Sequence, residues 1–142
     1  MPIDPHMLPW LTTFTPAHAV VAAGVLVRMV GDDKVWPKSV EAQLQSGSAG
    51  DFWNIDEFTM TVDKSRTNGR NTKKLATASP VERPLGEWNE YEIIVNQGDV
   101  ILKVNGQELN RATDVEQVPG FICLQSEGAE IHFRNVRIVE LK

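Results

Sequence analysis

The sequence holds one cysteine, Cys123. That excludes an internal disulfide and a cysteine-rich zinc site. No excess of basic residues exists either: the formal net charge is -5, which argues against nonspecific association with nucleic acid or an anionic membrane. The most apolar run, "AVVAAGVLV" over 19–27, is too short to span a bilayer. No Lys or Arg precedes it, so it lacks the basic segment of an export signal and is expected to be a buried strand. His6, His18 and His132 are scattered without metal-ligand spacing, and no calcium-loop pattern is present, so neither metal nor cofactor is expected. Internal repeats are absent, and helical periodicity is missing except for one turn expected near "TDVEQ" (113–117).

What remains is a chain of 142 residues, long enough for one domain with its own core. Residues 1–18 are proline-rich and without clear periodicity, and are expected to form an irregular leader. From Gly24 onward, short apolar or alternating runs are separated by turn signals. "GVLVRMV" (24–30) is followed by the loop "GDDKVWP". "SVEAQLQ" (39–45) alternates Val40, Ala42 and Leu44 with Glu41, Gln43 and Gln45, the pattern of a strand with one polar face. Residues 63–86 contain little apolar material and many turn formers, predicting a long loop of the kind that is often functional. "EYEIIV", "VILKV" and "QELNRA" form a meander, and Asn105-Gly106 is the preferred pair for a type I′ hairpin. "GFICLQ" (120–125) is apolar on both faces and predicts a central strand. In the closing "EIHFRNVRIVEL" the apolar alternation changes face between Arg134 and Asn135, predicting a bulge. Arg134 and Asn135 are therefore expected to fasten the last strand. The count and spacing of strands predict an all-β sandwich or jelly roll.

In order along the chain, "GVLVR", "VEAQLQ", "PLGEWNEYEIIV", "VNGQELNRA" and "GFICLQSEGAEIHFRNVRIVEL" resemble the 3-keto-disaccharide hydrolase-like domains. The resemblance runs from Gly24 to Lys142. It implies a concanavalin A-like jelly roll of two antiparallel sheets over 24–142, with 1–23 as a divergent leader. Family members usually carry further N-terminal strands and are typically exported, so the chain is expected to be an N-terminally shortened member. It carries no export signal of its own and its compartment is not fixed. Strands left without their usual cover imply self-association into a homo-oligomer. Four positions depart from the family pattern: Ala22-Ala23 precedes Gly24 where Asn-Ser is usual, Ser46 stands where an acidic residue is frequent, and Glu127 where His is frequent.

The substrate class the resemblance implies is a glycoside already oxidised at C3. A ketone there acidifies the C2 proton, so a base removes it, the C1 group leaves and water adds back. Such a site needs a base, an acid for the leaving group and a donor for the enolate oxygen. On that template Glu41 is the candidate base, Arg28 the oxyanion donor and Glu127 a second acid/base. Gln43 shares a strand face with Glu41. With Gln43, the residues Trp36, Trp53, Gln125 and Arg70 are the candidate substrate-binding groups, the indoles by stacking on a sugar unless they serve to anchor their loops. Arg66, Arg70, Lys73 and Lys74 form a basic loop cluster that could clamp a polar ligand, or simply be solvated. Trp88 and Asn89 are expected to fix the start of the following strand. The alternative function is a non-catalytic carbohydrate-binding module, or a self-associating β-sandwich without activity.

Overall fold

The computed structural model describes residues 10–16, 22–128 and 130–141, with side chains from residue 23 onward. Eleven strands follow in chain order: β1 Trp10–Pro16, β2 Ala22–Val30, β3 Lys38–Gln43, β4 Phe52–Ile55, β5 Thr67–Asn68, β6 Asn71–Thr72, β7 Asn89–Asn96, β8 Asp99–Val104, β9 Gln107–Ala112, β10 Phe121–Glu127 and β11 Ile131–Ile138. They form two antiparallel sheets, one ordered β11-β1-β7-β8-β9 and the other β10-β2-β3-β4-β6-β5. This is the β-sandwich jelly roll that the strand pattern predicts. Alternate residues of the two inner faces meet in the core, including Val25, Val27, Val40, Ala42, Phe52, Tyr91, Ile93, Val95, Leu102 and Leu109. Period-two alternation in β7 and β8 places every second side chain in that core.

The Asn105-Gly106 turn is as expected: both residues take positive φ, 49° and 82°, and Val104 faces Gln107 across the hairpin. Asn105 also holds its surroundings, accepting from the Glu90 amide and donating to the Val81 carbonyl and the Asn89 side chain. Asn89 accepts from the Arg83 amide, the role expected for it at the start of β7. The bulge predicted in the last strand sits at Asn135, with φ of 53°, where the β1–β11 register slips. Arg134 lies over the Trp88 ring at 3.9 Å.

Several expectations are corrected. Residues 10–16, expected in an irregular leader, form β1 between β7 and β11. Its Thr-rich sequence suits an extended strand, but the prolines around it hide the signal. His6, His18 and the remainder of that leader lie outside the described residues. No helix forms at 113–117. The one helical turn among the described residues is Lys64–Arg66, capped by Asp63, whose carboxylate accepts from the Ser65 amide. β10, expected to be central, is an edge strand with β2 as its neighbour, and Phe121 and Leu124 remain 43% and 44% exposed. An apolar run marks either a strand buried on both faces or an uncovered edge, and sequence alone does not separate the two. The long loop is partly ordered: it includes the β5–β6 hairpin and is pinned where the Glu82 carboxylate accepts from the Gly47 and Ala49 amides and from Lys74. Among the described residues no helix is long and apolar enough to cross a membrane.

Candidate functional site

β3 carries the site. Val40 and Ala42 point into the core, so Ser39, Glu41 and Gln43 point to the other face of the six-stranded sheet. That polar face is itself buried: Glu41 is only 6% exposed. In register, Glu41 stands between Trp53 of β4 and Leu26 of β2, while Gln43 faces Gly24 of β2. β10 lies on the far side of β2, placing Gln125 opposite Gly24 and Glu127 opposite Ala22.

Above this face is a cavity of about 280 Å³ lined by Trp36, Glu41, Gln43, Gln45, Trp53, Ile55, Arg70 and Glu127. Trp36 comes from the loop between β2 and β3, which an ion pair of 3.0 Å between Lys34 and Asp56 ties to the turn after β4. Arg70 comes from the tight turn joining β5 to β6. Burial, and secondarily the nearby Glu127 charge, push the Glu41 carboxyl up to about 7, since removing a carboxylate from water disfavours its ionised form. A carboxyl so placed takes or gives a proton near neutrality. Gln43 has its Oε1 committed, accepting from the Leu44 and Gln45 amides. Only the oxygen can accept both, so the amide NH₂ is the end left to meet a ligand.

Six of the eight residues nominated from sequence therefore meet in one cavity: Trp36, Glu41, Gln43, Trp53, Arg70 and Glu127. Gln125 is not among the lining residues; its Oε1 is buried with no hydrogen-bond partner among the described residues. Arg28 does not line the cavity either. It is the extra residue of a bulge facing β10, with φ of 53°, and its guanidinium turns away from the cavity to donate to the carbonyls of Gln97, Val115 and Glu116. The resemblance that nominates Arg28 carries no sign of this bulge. The basic loop cluster does not act as one clamp: Arg66 pairs with Asp63, Lys73 with Asp51 and Lys74 with Glu82, leaving Arg70 at the cavity. Sequence reasoning missed Gln45 and Ile55 as lining residues, although Gln45 continues the alternation of Glu41 and Gln43.

A larger depression of about 660 Å³ lies between residues 46–47 and the 74–85 segment. Its charged groups are already engaged, Lys74 and Glu82 with each other and Arg83 with the Trp88 carbonyl, so the smaller cavity is the better site. Ser46 lines that depression and not the cavity over Glu41. Among the described residues no group of three or more His, Cys, Asp or Glu side chains could hold a metal ion.

The family model of the 3-keto-alpha-glucoside-1,2-lyase-like domain matches residues 9–139. The chain belongs to this family. The match begins at residue 9, just ahead of β1, so the lyase-like domain takes in the strand that the sequence pattern did not reveal. Two solved structures of candidate glycosyl hydrolases from Parabacteroides distasonis share the fold. One has a TM-score of 0.67 at 20% identity, covering 96% of this chain and 73% of its own. The other has a TM-score of 0.66 at 19% identity, covering 99% and 80% respectively. No curated protein matches the chain. Within the lyase-like family, the departure at Ser46 removes no group from the cavity over Glu41, whereas Glu127 puts a second carboxyl into it.

Proposed function

We propose that the cavity binds a glycoside oxidised at C3 and that Glu41 removes its C2 proton, expelling the C1 substituent. The observation that carries this reading is the meeting of a buried carboxyl, titrating near neutrality, with two indoles and an outward-facing amide in one pocket. In this scheme Trp36 and Trp53 stack on the ring. The Gln43 amide and Arg70 donate to the developing enolate oxygen, the task that the resemblance gives to Arg28. Glu127 serves as the second acid/base, protonating the leaving group. Water entering from the open side completes the addition. Mass spectrometry of a 3-keto disaccharide incubated with the protein is expected to show release of a free sugar, while the unoxidised disaccharide stays intact. Trp36→Ala and Trp53→Ala are each expected to raise KM by roughly three- to tenfold, with a smaller change in kcat, on an aromatic contact of about 0.5–1.5 kcal/mol. Cleavage of both disaccharides at equal rates, or of neither, would overturn the proposal.

Binding without turnover is the second reading, favoured by Glu127 standing where family members often have His. Calorimetric binding of sugar that survives Glu41→Gln, with no cleavage by the parent protein, would select it. Self-association is also proposed. β10 and β11 end their sheets and leave Phe121, Leu124, Val136 and Ile138 exposed, surface that edge pairing with a second copy would cover. Light scattering is expected to report a dimer or larger; a strict monomer at high concentration removes the idea.

A further inference from the structure

Seven of the glycines adopt a positive φ that favours glycine, but Gly24 is not one of them. It sits within β2 with ordinary strand pairing to Gln43 and Gln125, where a glycine normally weakens a strand and marks a close approach. What approaches is Glu41. A Cβ at position 24 would lie 2.6 Å from Glu41 Oε1, 2.7 Å from its Cγ and 3.0 Å from its Cδ. The near atoms include the middle of the side chain as well as its tip, so a methyl group there requires the whole Glu41 side chain to swing.

The direction of the lean matters. Glu41 has Leu26 as its own cross-strand partner, and beyond it Cys123; Gly24 belongs to the next row on that face. Glu127 belongs to the row after that, opposite Ala22. By lying across Gly24, the Glu41 side chain leaves its own row and reaches toward Glu127. We propose that Gly24 is a positioning residue: the space left by its missing side chain lets Glu41 cross toward Glu127, so that the two carboxyls work as a linked acid/base pair. This rests on the reading of Glu41 and Glu127 as the reacting pair. The charge of Glu127 already contributes to the upward displacement of Glu41. The charged groups lining the cavity with Glu41 are Glu127 from β10 and Arg70 from the β5–β6 turn.

The test reads protons and needs no substrate. In protein carrying ¹³C-labelled glutamate side chains, the Glu41 carboxyl is titrated by NMR with and without Glu127→Gln. In the Gly24 protein, Glu127→Gln is expected to lower the Glu41 midpoint by roughly half a pH unit, the effect of removing a like charge. In Gly24→Ala that response is expected to shrink toward zero. The same response in both backgrounds would overturn the proposal. Should Gly24→Ala fail to fold, Glu41→Asp in the Gly24 protein, labelled with ¹³C in its aspartate side chains instead, answers the same question: one methylene shorter, the carboxyl at position 41 stays in its own row and loses the response to Glu127→Gln, and a full response overturns the proposal. A protein that cleaved no keto-glycoside but showed the linkage would sink the proposed reaction and leave Gly24's role standing. Turnover without the linkage would do the reverse.

Discussion

Glu41→Gln is expected to cut turnover of a 3-keto disaccharide by roughly 10²- to 10⁴-fold, the usual contribution of a positioned base, while making the protein more stable above pH 7. Both effects come from one buried carboxyl. Glu41 titrates at about 7 in the folded protein against 4.5 for the free side chain. Between those values the folded protein retains a proton that the unfolded chain has lost. Its contribution to stability is fully present below about pH 4.5, declines as pH rises, and is gone above about pH 7. A displacement of about 2.5 on the pH scale corresponds to about 3 kcal/mol. Glutamine stays neutral throughout, so its unfolding profile is expected to lack this decline. Urea denaturation at pH 5 and pH 8.5 measures it; parallel profiles for the two proteins would count against a buried, displaced Glu41. Activity has the opposite pH dependence. The base works only when ionised, so kcat/KM of the parent protein is expected to rise with pH through about 7.

Arg28→Leu is expected to destabilise the fold by about 3–5 kcal/mol while leaving the kcat of the folded fraction unchanged. Arg28 is 5% exposed and donates from one guanidinium to three carbonyls on two separate segments, Gln97 in the β7–β8 turn and Val115 and Glu116 before β10. It therefore fastens the end of one sheet to the end of the other. Removing it strands carbonyl acceptors at the join, which costs more than the bonds themselves are worth. Arg28→Lys is expected to recover only part of the loss, because an ammonium lacks the planar fork that spans several acceptors. Chemical denaturation alongside active-site titration separates the effects. Unchanged stability with lost turnover would return Arg28 to the oxyanion role.

Much of the site was legible because strand chemistry is periodic. Glu41, Gln43 and Gln45 alternate with Val40, Ala42 and Leu44, and that alternation alone puts them on one face. Their burial was not legible, since it depends on Trp36 and Arg70 being brought over the sheet by loops whose course no period encodes. Arg28 shows the opposite failure: it obeys the alternation on paper, and a bulge with positive φ turns it out of the site. β1 was hidden because flanking prolines resemble a disordered leader, whereas its place in the sheet is decided by β7 and β11, far along the chain. The turn chemistry at Asn105-Gly106 and the face change at Asn135 were readable because a positive φ and a bulge have local residue signatures.

The position of β1 also bears on how the domain assembles. Its two neighbours are β7, which starts at Asn89, and β11, which starts at Ile131. β1 must therefore wait for β7 before one flank is paired and for β11, at the far end of the domain, before the other is. Pairings so distant along the chain make for slow folding, and until they form, β1 offers two open edges to any other extended segment. During that interval the domain is at its most vulnerable to aggregation, well before any substrate is met.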